Sequence, residues 1–208
     1  KWKIKGEKIK ISRLGCMRDC GLFPSKKTNQ LHLVSCSNIV PVKRVLLLFK
    51  SLTYVQNISL KWTHIGDGCE MDKLVAKINQ IPNSIEINLM GHVDNYKVKL
   101  FYQTSLPDLF INLSLSEGVP FSIMEAMSYS IPVLATNVGG NSEIVNNDNG
   151  FLINANPTPN HVAKKIIEYY HLSKEHKNKK RLLAYKTWED KYNADKNYTQ
   201  FVEDILSL

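Results

Sequence analysis

The chain has 208 residues, is 43% hydrophobic and carries a formal charge of +8, enough apolar mass for one domain with a real core, with or without appendages. No stretch reaches the eighteen or so consecutive apolar residues of a membrane span, and the start, Lys1-Trp2-Lys3, has neither an initiator methionine nor the apolar core of a signal peptide, so a soluble, globular piece of a longer protein is expected. The positive balance favours an anionic partner, a nucleotide, a nucleic acid or a lipid surface, without choosing among them.

Residues 1–30 are basic and irregular, a short period-two piece (Lys8, Ile9, Lys10, Ile11) followed by the connector-like "GLFPSKKTNQ". The four cysteines, Cys16, Cys20, Cys36 and Cys69, contain no C-x-x-C pair and no second close pair or spaced histidine to complete a zinc set. They read as reduced thiols of a cytosolic protein.

From Leu31 short apolar runs of β type alternate with stretches of helical period. Strands are expected over 31–35, 59–65, 84–90, 108–113, 132–135 and 150–153, and helices over 43–52, 70–80, 95–104, 120–128 and 141–145. Such alternation implies an α/β fold, a parallel sheet of about six strands with helices on both faces. Residues 31–157 then form a Rossmann-like domain, and from 158 to 208 the chain is helical: a face of Ile166, Ile167 and Tyr170, a lysine-rich helix through Trp188, and a last helix bearing Tyr198 and Phe201.

Unusual residues collect where the strands end. Gly66-Asp67-Gly68, Gly91-His92, Ser116-Glu117-Gly118 and Gly139-Gly140 follow four successive strands and map to one edge of the sheet, the edge where parallel α/β sheets bind ligands. Glycine there permits a tight turn or lets a ligand approach the main chain. Pro120 suits the first turn of a helix, so the N–H groups of Val119, Phe121 and Ser122 are left facing outward, as at a phosphate-binding helix start. Ile123, Met124 and Met127 would pack on the sheet while Glu125 looks to the cleft, where a carboxylate can accept from vicinal ribose hydroxyls. Taken alone, Glu117 and Glu125 read first as acids favoured at a helix's positive end and on a solvated face.

Context decides. The stretch "SEGVPFSIMEAMSYSIPVLATNVGGNSEIVNNDNGFLI" resembles the donor-binding, C-terminal half of the retaining GT-B glycosyltransferases of family four, the glycosyl transferases group 1 type, with E-G-x-P-x-x-x-x-E-A-M, P-V-x-A-T, G-G-x-x-E and N-G in order. Upstream, "LVSCSNIVPVKRV", "HIGDGCEMDKL" and "LMGHV" look like that family's first three strand ends, so the resemblance covers roughly residues 8–205. It implies a nucleoside-diphosphate sugar as substrate, no cofactor, and a saccharide or lipid-linked acceptor held by an N-terminal Rossmann-like domain absent from this chain, in polysaccharide biosynthesis of the cell envelope. By the same resemblance Glu125 holds the ribose, Glu117 contacts the transferred sugar or assists departure of the diphosphate, and Lys43 neutralises the diphosphate. The amides of Val119 and Phe121 complete the cradle opened by Gly118 and Pro120.

One position departs from the family pattern: Asn38 stands five residues before Lys43, where the family usually has an arginine, and an amide cannot replace the bidentate charge of a guanidinium. That keeps open a non-catalytic nucleotide-binding module as the alternative. Arg44 is expected to point elsewhere. No D-x-D element is present, so metal-independent transfer is expected, the leaving charge being met by fixed cations and amides. Gly66, Gly91 and His92 are included as donor-side residues. Glu143 fits a helix start as well as a cleft, and "SKEHKNKKRLLAY" reads first as a solvated face and second as a peripheral contact with anionic lipid at the inner face of the membrane. No RNP-like or helix-turn-helix signature supports a nucleic-acid partner.

Overall fold

Strands that bury both faces are near-continuous apolar runs, and they belong in parallel sheets. The computed structural model describes residues 11–18 and 30–207, and within them six strands form one sheet: β1 (Leu31–Cys36), β2 (Leu60–Ile65), β3 (Ile85–Leu89), β4 (Leu109–Asn112), β5 (Val133–Thr136) and β6 (Gly150–Ile153). The central ones are buried and the edge strand β3 only in part. Every neighbouring pair is parallel, in the order β3-β2-β1-β4-β5-β6. The connecting helices are α1 (Val45–Leu52), α2 (Met71–Val75), α3 (Asn95–Ser105), α4 (Phe121–Ser128) and α5 (Asn141–Ile144), followed by α6 (Pro159–His171), α7 (Lys174–Lys191) and α8 (Ala194–Leu206). This is the expected Rossmann-like α/β fold.

The pleat sends alternate residues to opposite faces, and the core divides accordingly. Leu33, Leu109, Ile111 and Leu134 join Leu48, Phe49 and Ile166 on one side. Val34, Phe110, Val133 and Ala135 join Ile123, Met127 and Trp188 on the other. Helix α1 packs on α6 and α4 on α7, so the C-terminal helices complete both layers.

Several boundaries differ from expectation. The helix expected over 43–52 begins at Val45, because a 3-10 turn at Pro41–Lys43 ends in Arg44, a non-glycine residue held at φ 51°. The helix expected over 70–80 shortens to α2 with a 3-10 turn at Ile78–Gln80: within α2 only Leu74 is buried, too little packing to sustain a longer helix. Pro120 caps α4 from just outside its first turn. In α6 Tyr169 is buried, its hydroxyl donating to the Asp108 carbonyl at 2.7 Å, while Ile167 and Tyr170 pack at the margin. Trp188 is the expected anchor and donates to the Cys16 carbonyl at 3.1 Å, but Tyr198 and Phe201 of α8 are exposed. Of the expected connector over 1–30, residues 1–10 and 19–29, Cys20 among them, lie outside the described residues. The described part runs beside the α7–α8 junction, Cys16 bridging to Asn193.

Candidate functional site

Strands β1 and β4 are neighbours, yet the chain leaves β1 toward β2 and β4 toward β5. Diverging crossovers open a crevice outside the carboxyl ends of those two strands, the position where such sheets bind ligands. The turn after β1 brings Lys43 to one wall, and the loop after β4 brings Glu117 and Gly118 to the other.

The two walls meet in a half-buried ion pair. Lys43 Nζ donates to Glu117 Oε1 at 2.7 Å, and the same oxygen accepts from Ser114 Oγ at 2.6 Å and Asn112 Nδ2 at 3.1 Å. The Glu117 side chain is 8% exposed. Burial alone would raise its pKa, but the bonds from Lys43, Ser114 and Asn112 outweigh that and hold it below the ordinary carboxylate value. Glu117 is therefore an anion at neutral pH, with three donors on Oε1 and no protein donor on Oε2 among the described residues.

Glycines fit the strand-end loops together. At Gly139, with φ +47°, a Cβ would overlap the Glu117 carbonyl, and the N–H of Gly140 donates to the Gly118 carbonyl at 2.9 Å. The loop after β5 thus braces the loop that carries Glu117. Gly118 is different, because a Cβ built there meets nothing within 4 Å. No packing among the described residues requires a glycine at that point, just before the start of α4.

Glu125 is 4% exposed, far more buried than a cleft-facing residue was expected to be. Its Oε1 accepts from Asn95 Nδ2 at 2.5 Å, joining α4 to the start of α3. Burial raises its pKa, while Asn95 and the charge of Lys99 pull the other way. Asn38 and His92 are brought together on a shallow groove with Val40, Asp67 and Gly68, and Gly66 and Gly91 pair through a 2.8 Å bond from the Gly66 N–H to the Gly91 carbonyl. The exposed Glu143 lies in the first turn of α5.

Arg44 has a role absent from the residue pattern. Its guanidinium donates to the carbonyls of Leu113 (2.5 Å), Ser114 (2.9 Å) and Ala155 (2.7 Å) and to Asn156 Oδ1 (3.3 Å). It fastens the turn after β1 to the exits of β4 and β6. His64 also escaped the sequence reading. Fully buried, it sits in a relay: Trp62 Nε1 donates to Ser35 Oγ (2.9 Å), Ser35 pairs with His64 Nδ1 (2.8 Å), and His64 Nε2 pairs with the Ser37 carbonyl (3.1 Å) at the exit of β1. A neutral imidazole, accepting at Nδ1 and donating at Nε2, satisfies every member.

Burial pushes the His64 pKa from 6.5 down to about 4, against a smaller upward pull from the Ser37 carbonyl. The neutral form is the folded form, so its contribution is complete above the unfolded value and is lost as pH falls toward the folded one. Chemical denaturation is expected to find stability dropping between pH 6.5 and 4 by on the order of 3 kcal/mol from this group. A His64→Gln variant should lose that component of the pH slope.

The lysine-rich run is partly structural. Lys177 donates to the Tyr170 carbonyl, Lys180 to those of Asn147 and Gly150, and Arg181 to that of Pro107, so fewer cations face outward than the sequence suggests. Among the described residues no helix is long and apolar enough to cross a membrane, and no cluster of three or more His, Cys, Asp or Glu is placed to hold a metal ion.

The family model for glycosyl transferases group 1 matches residues 23–184. Protein CapJ of Staphylococcus aureus is 28% identical over 217 aligned residues, covering 96% of this chain and 47% of CapJ. Among solved structures, S. aureus TarM, crystallised with UDP and alpha-GlcNAc-glycerol, superposes with a TM-score of 0.72 at 23% identity, over 90% of this chain and 38% of TarM. Anabaena HepE, crystallised with UDP and glucose, gives 0.70 at 22%, over 86% and 49%. The chain spans about half the length of these proteins or less.

Proposed function

The chain belongs to the glycosyl transferases group 1 family, and from that premise we propose that it is the C-terminal, donor-binding half of a retaining, metal-independent glycosyltransferase. The donor is a nucleoside-diphosphate sugar, and the acceptor is a saccharide or lipid-linked glycan held by an N-terminal half of the longer protein. Residues 31–157 hold the donor, and residues 158–208 pack on them and reach toward that other half. The observation carrying this reading is Lys43 facing the uncovered start of α4 across the switch-point crevice, tied there through Glu117.

In this account the diphosphate lies against Lys43, Gly118 and the amides of Val119 and Phe121. During transfer the bond from the anomeric carbon to the diphosphate oxygen breaks with its electron pair going to the diphosphate, whose growing charge Lys43 and the amides meet. The acceptor oxygen bonds to the same face of that carbon, and its proton passes to the departing diphosphate oxygen. Glu117, ionised, is suited to accept from sugar hydroxyls and to stabilise positive charge on the sugar ring, and unsuited to act as a proton donor. Glu125 takes the pentose.

Calorimetric titration with UDP, GDP and ADP tests the site: binding of one of them in the micromolar-to-millimolar range is expected, and no binding at millimolar ligand overturns it. Gly118→Ala supplies a sharper check. Since its methyl group meets no protein atom, stability should stay within about 0.5 kcal/mol, while nucleotide affinity falls about tenfold as the methyl occupies the phosphate's place. A second reading, a nucleotide-binding module without catalysis, is favoured by Asn38, which leaves its part of the groove without a guanidinium. Sugar transfer by the full-length protein that is lost in Glu117→Ala excludes it.

A further inference from the structure

We propose that Asn95 is part of the pentose site, a specificity-determining residue that works as one unit with Glu125; this rests on the assignment of Glu125 to the donor's pentose. Two observations carry it. A carboxylate as buried as that of Glu125 needs hydrogen-bond donors to stay ionised, and among the described side chains the hydrogen bond it receives comes from Asn95 Nδ2, at 2.5 Å. That bond uses one oxygen of the acid and the donor end of the amide. Glu125 Oε2 and Asn95 Oδ1 are left as two acceptors, with no protein donor on either among the described residues.

Two adjacent acceptors complement a vicinal diol, whose two O–H groups both donate. The amide does two jobs: it donates to the acid, orienting it and opposing the upward push of burial on its pKa, and it supplies the second acceptor. Because Asn95 is an exposed residue at the first position of α3, with Asp94 as the cap, replacing it removes little packing. The ligand class is thus a ribonucleoside diphosphate with both its 2′- and 3′-hydroxyls, in preference to its deoxy counterparts. Neither the charge of Lys43 nor the start of α4 would make that distinction, since both address phosphate.

The test is titration of this chain with whichever of UDP, GDP and ADP binds most tightly, and with its 2′-deoxy analogue, for wild type, Asn95→Ala and Asn95→Asp. Wild type should favour the ribonucleotide by about tenfold, the value of one hydrogen bond to a charged group. Asn95→Ala should weaken the ribonucleotide by about tenfold and bring the ribo-to-deoxy ratio close to one, in a chain that still folds but melts at a lower temperature because the buried acid has lost its donor. Asn95→Asp, which sets a second carboxylate against Glu125, should bind more weakly still. If Asn95→Ala keeps the wild-type ratio, whether or not overall affinity falls, the proposal is overturned while the donor site stands. If wild type binds no nucleoside diphosphate, the site assignment fails, and this inference with it.

Discussion

Lys43→Met in the full-length protein is expected to lower turnover by on the order of a hundredfold, the cost of deleting one fixed electrostatic partner of a leaving group. The same substitution strips Glu117 of its ion pair and leaves a carboxylate that is 8% exposed with only Ser114 and Asn112 as donors. A partner removed from a buried charge costs more than the pair was worth, here about 2 kcal/mol of stability given that Lys43 itself is partly solvated. The two effects separate in the double variant Lys43→Met, Glu117→Gln. It should regain most of the lost stability, because no unpaired charge is then buried, and it should regain no activity. A double variant that recovers transfer would show the pair to be scaffold only. Urea denaturation and steady-state transfer assays on the same four proteins, wild type, both single variants and the double, complete the cycle.

Arg44→Ala is expected to be the most destabilising single change near the crevice, by about 4 kcal/mol, through the loss of charged hydrogen bonds to the carbonyls of Leu113, Ser114 and Ala155. Leu113 is buried and its carbonyl would lose this donor, while the Ser114 carbonyl would keep its 2.7 Å bond from Thr136 Oγ1. Arg44 also holds φ 51°, a conformation that costs an L-residue about 1 kcal/mol. Arg44→Gly removes the same guanidinium but relieves the backbone, and should be less destabilising than Arg44→Ala by about that amount. Equal losses in the two variants would mean that the left-handed turn is not a constraint. Because the guanidinium ties the turn carrying Lys43 to the exit of β4, both variants should also weaken nucleotide binding without touching nucleotide.

What the residues disclosed and what they hid follow from where the information lies. The strands were legible because runs of Leu, Val and Ile have few other ways to be buried, and the crevice because glycines and Glu117 follow strand ends, with Lys43 added by the family resemblance alone. Pro120 marked the start of α4 to within a residue, since its missing N–H restricts where a helix can begin. Arg44 was invisible in its real role, because its partners are main-chain carbonyls, which every residue possesses and no sequence displays. His64 and Trp62 read as ordinary strand residues; only the register that sets Ser35 opposite His64 makes them a relay. Asn95 and Glu125 lie thirty residues apart, and their contact depends on how α3 and α4 pack, a tertiary fact. The failed helix over 70–80 shows the reverse case, a plausible helical pattern left short because the sheet offered α2 little beyond Leu74 to bury.

The central claim is that a diphosphate occupies the crevice between the turn after β1 and the start of α4. A crystal structure of this chain grown with saturating nucleoside diphosphate tests it most directly. The account predicts that Lys43 Nζ leaves Glu117 Oε1, now 2.7 Å away, for a phosphate oxygen that also meets the amides of Val119 and Phe121. A nucleotide bound elsewhere, or a crevice in which Lys43 and Glu117 remain paired with the phosphates outside it, would contradict it.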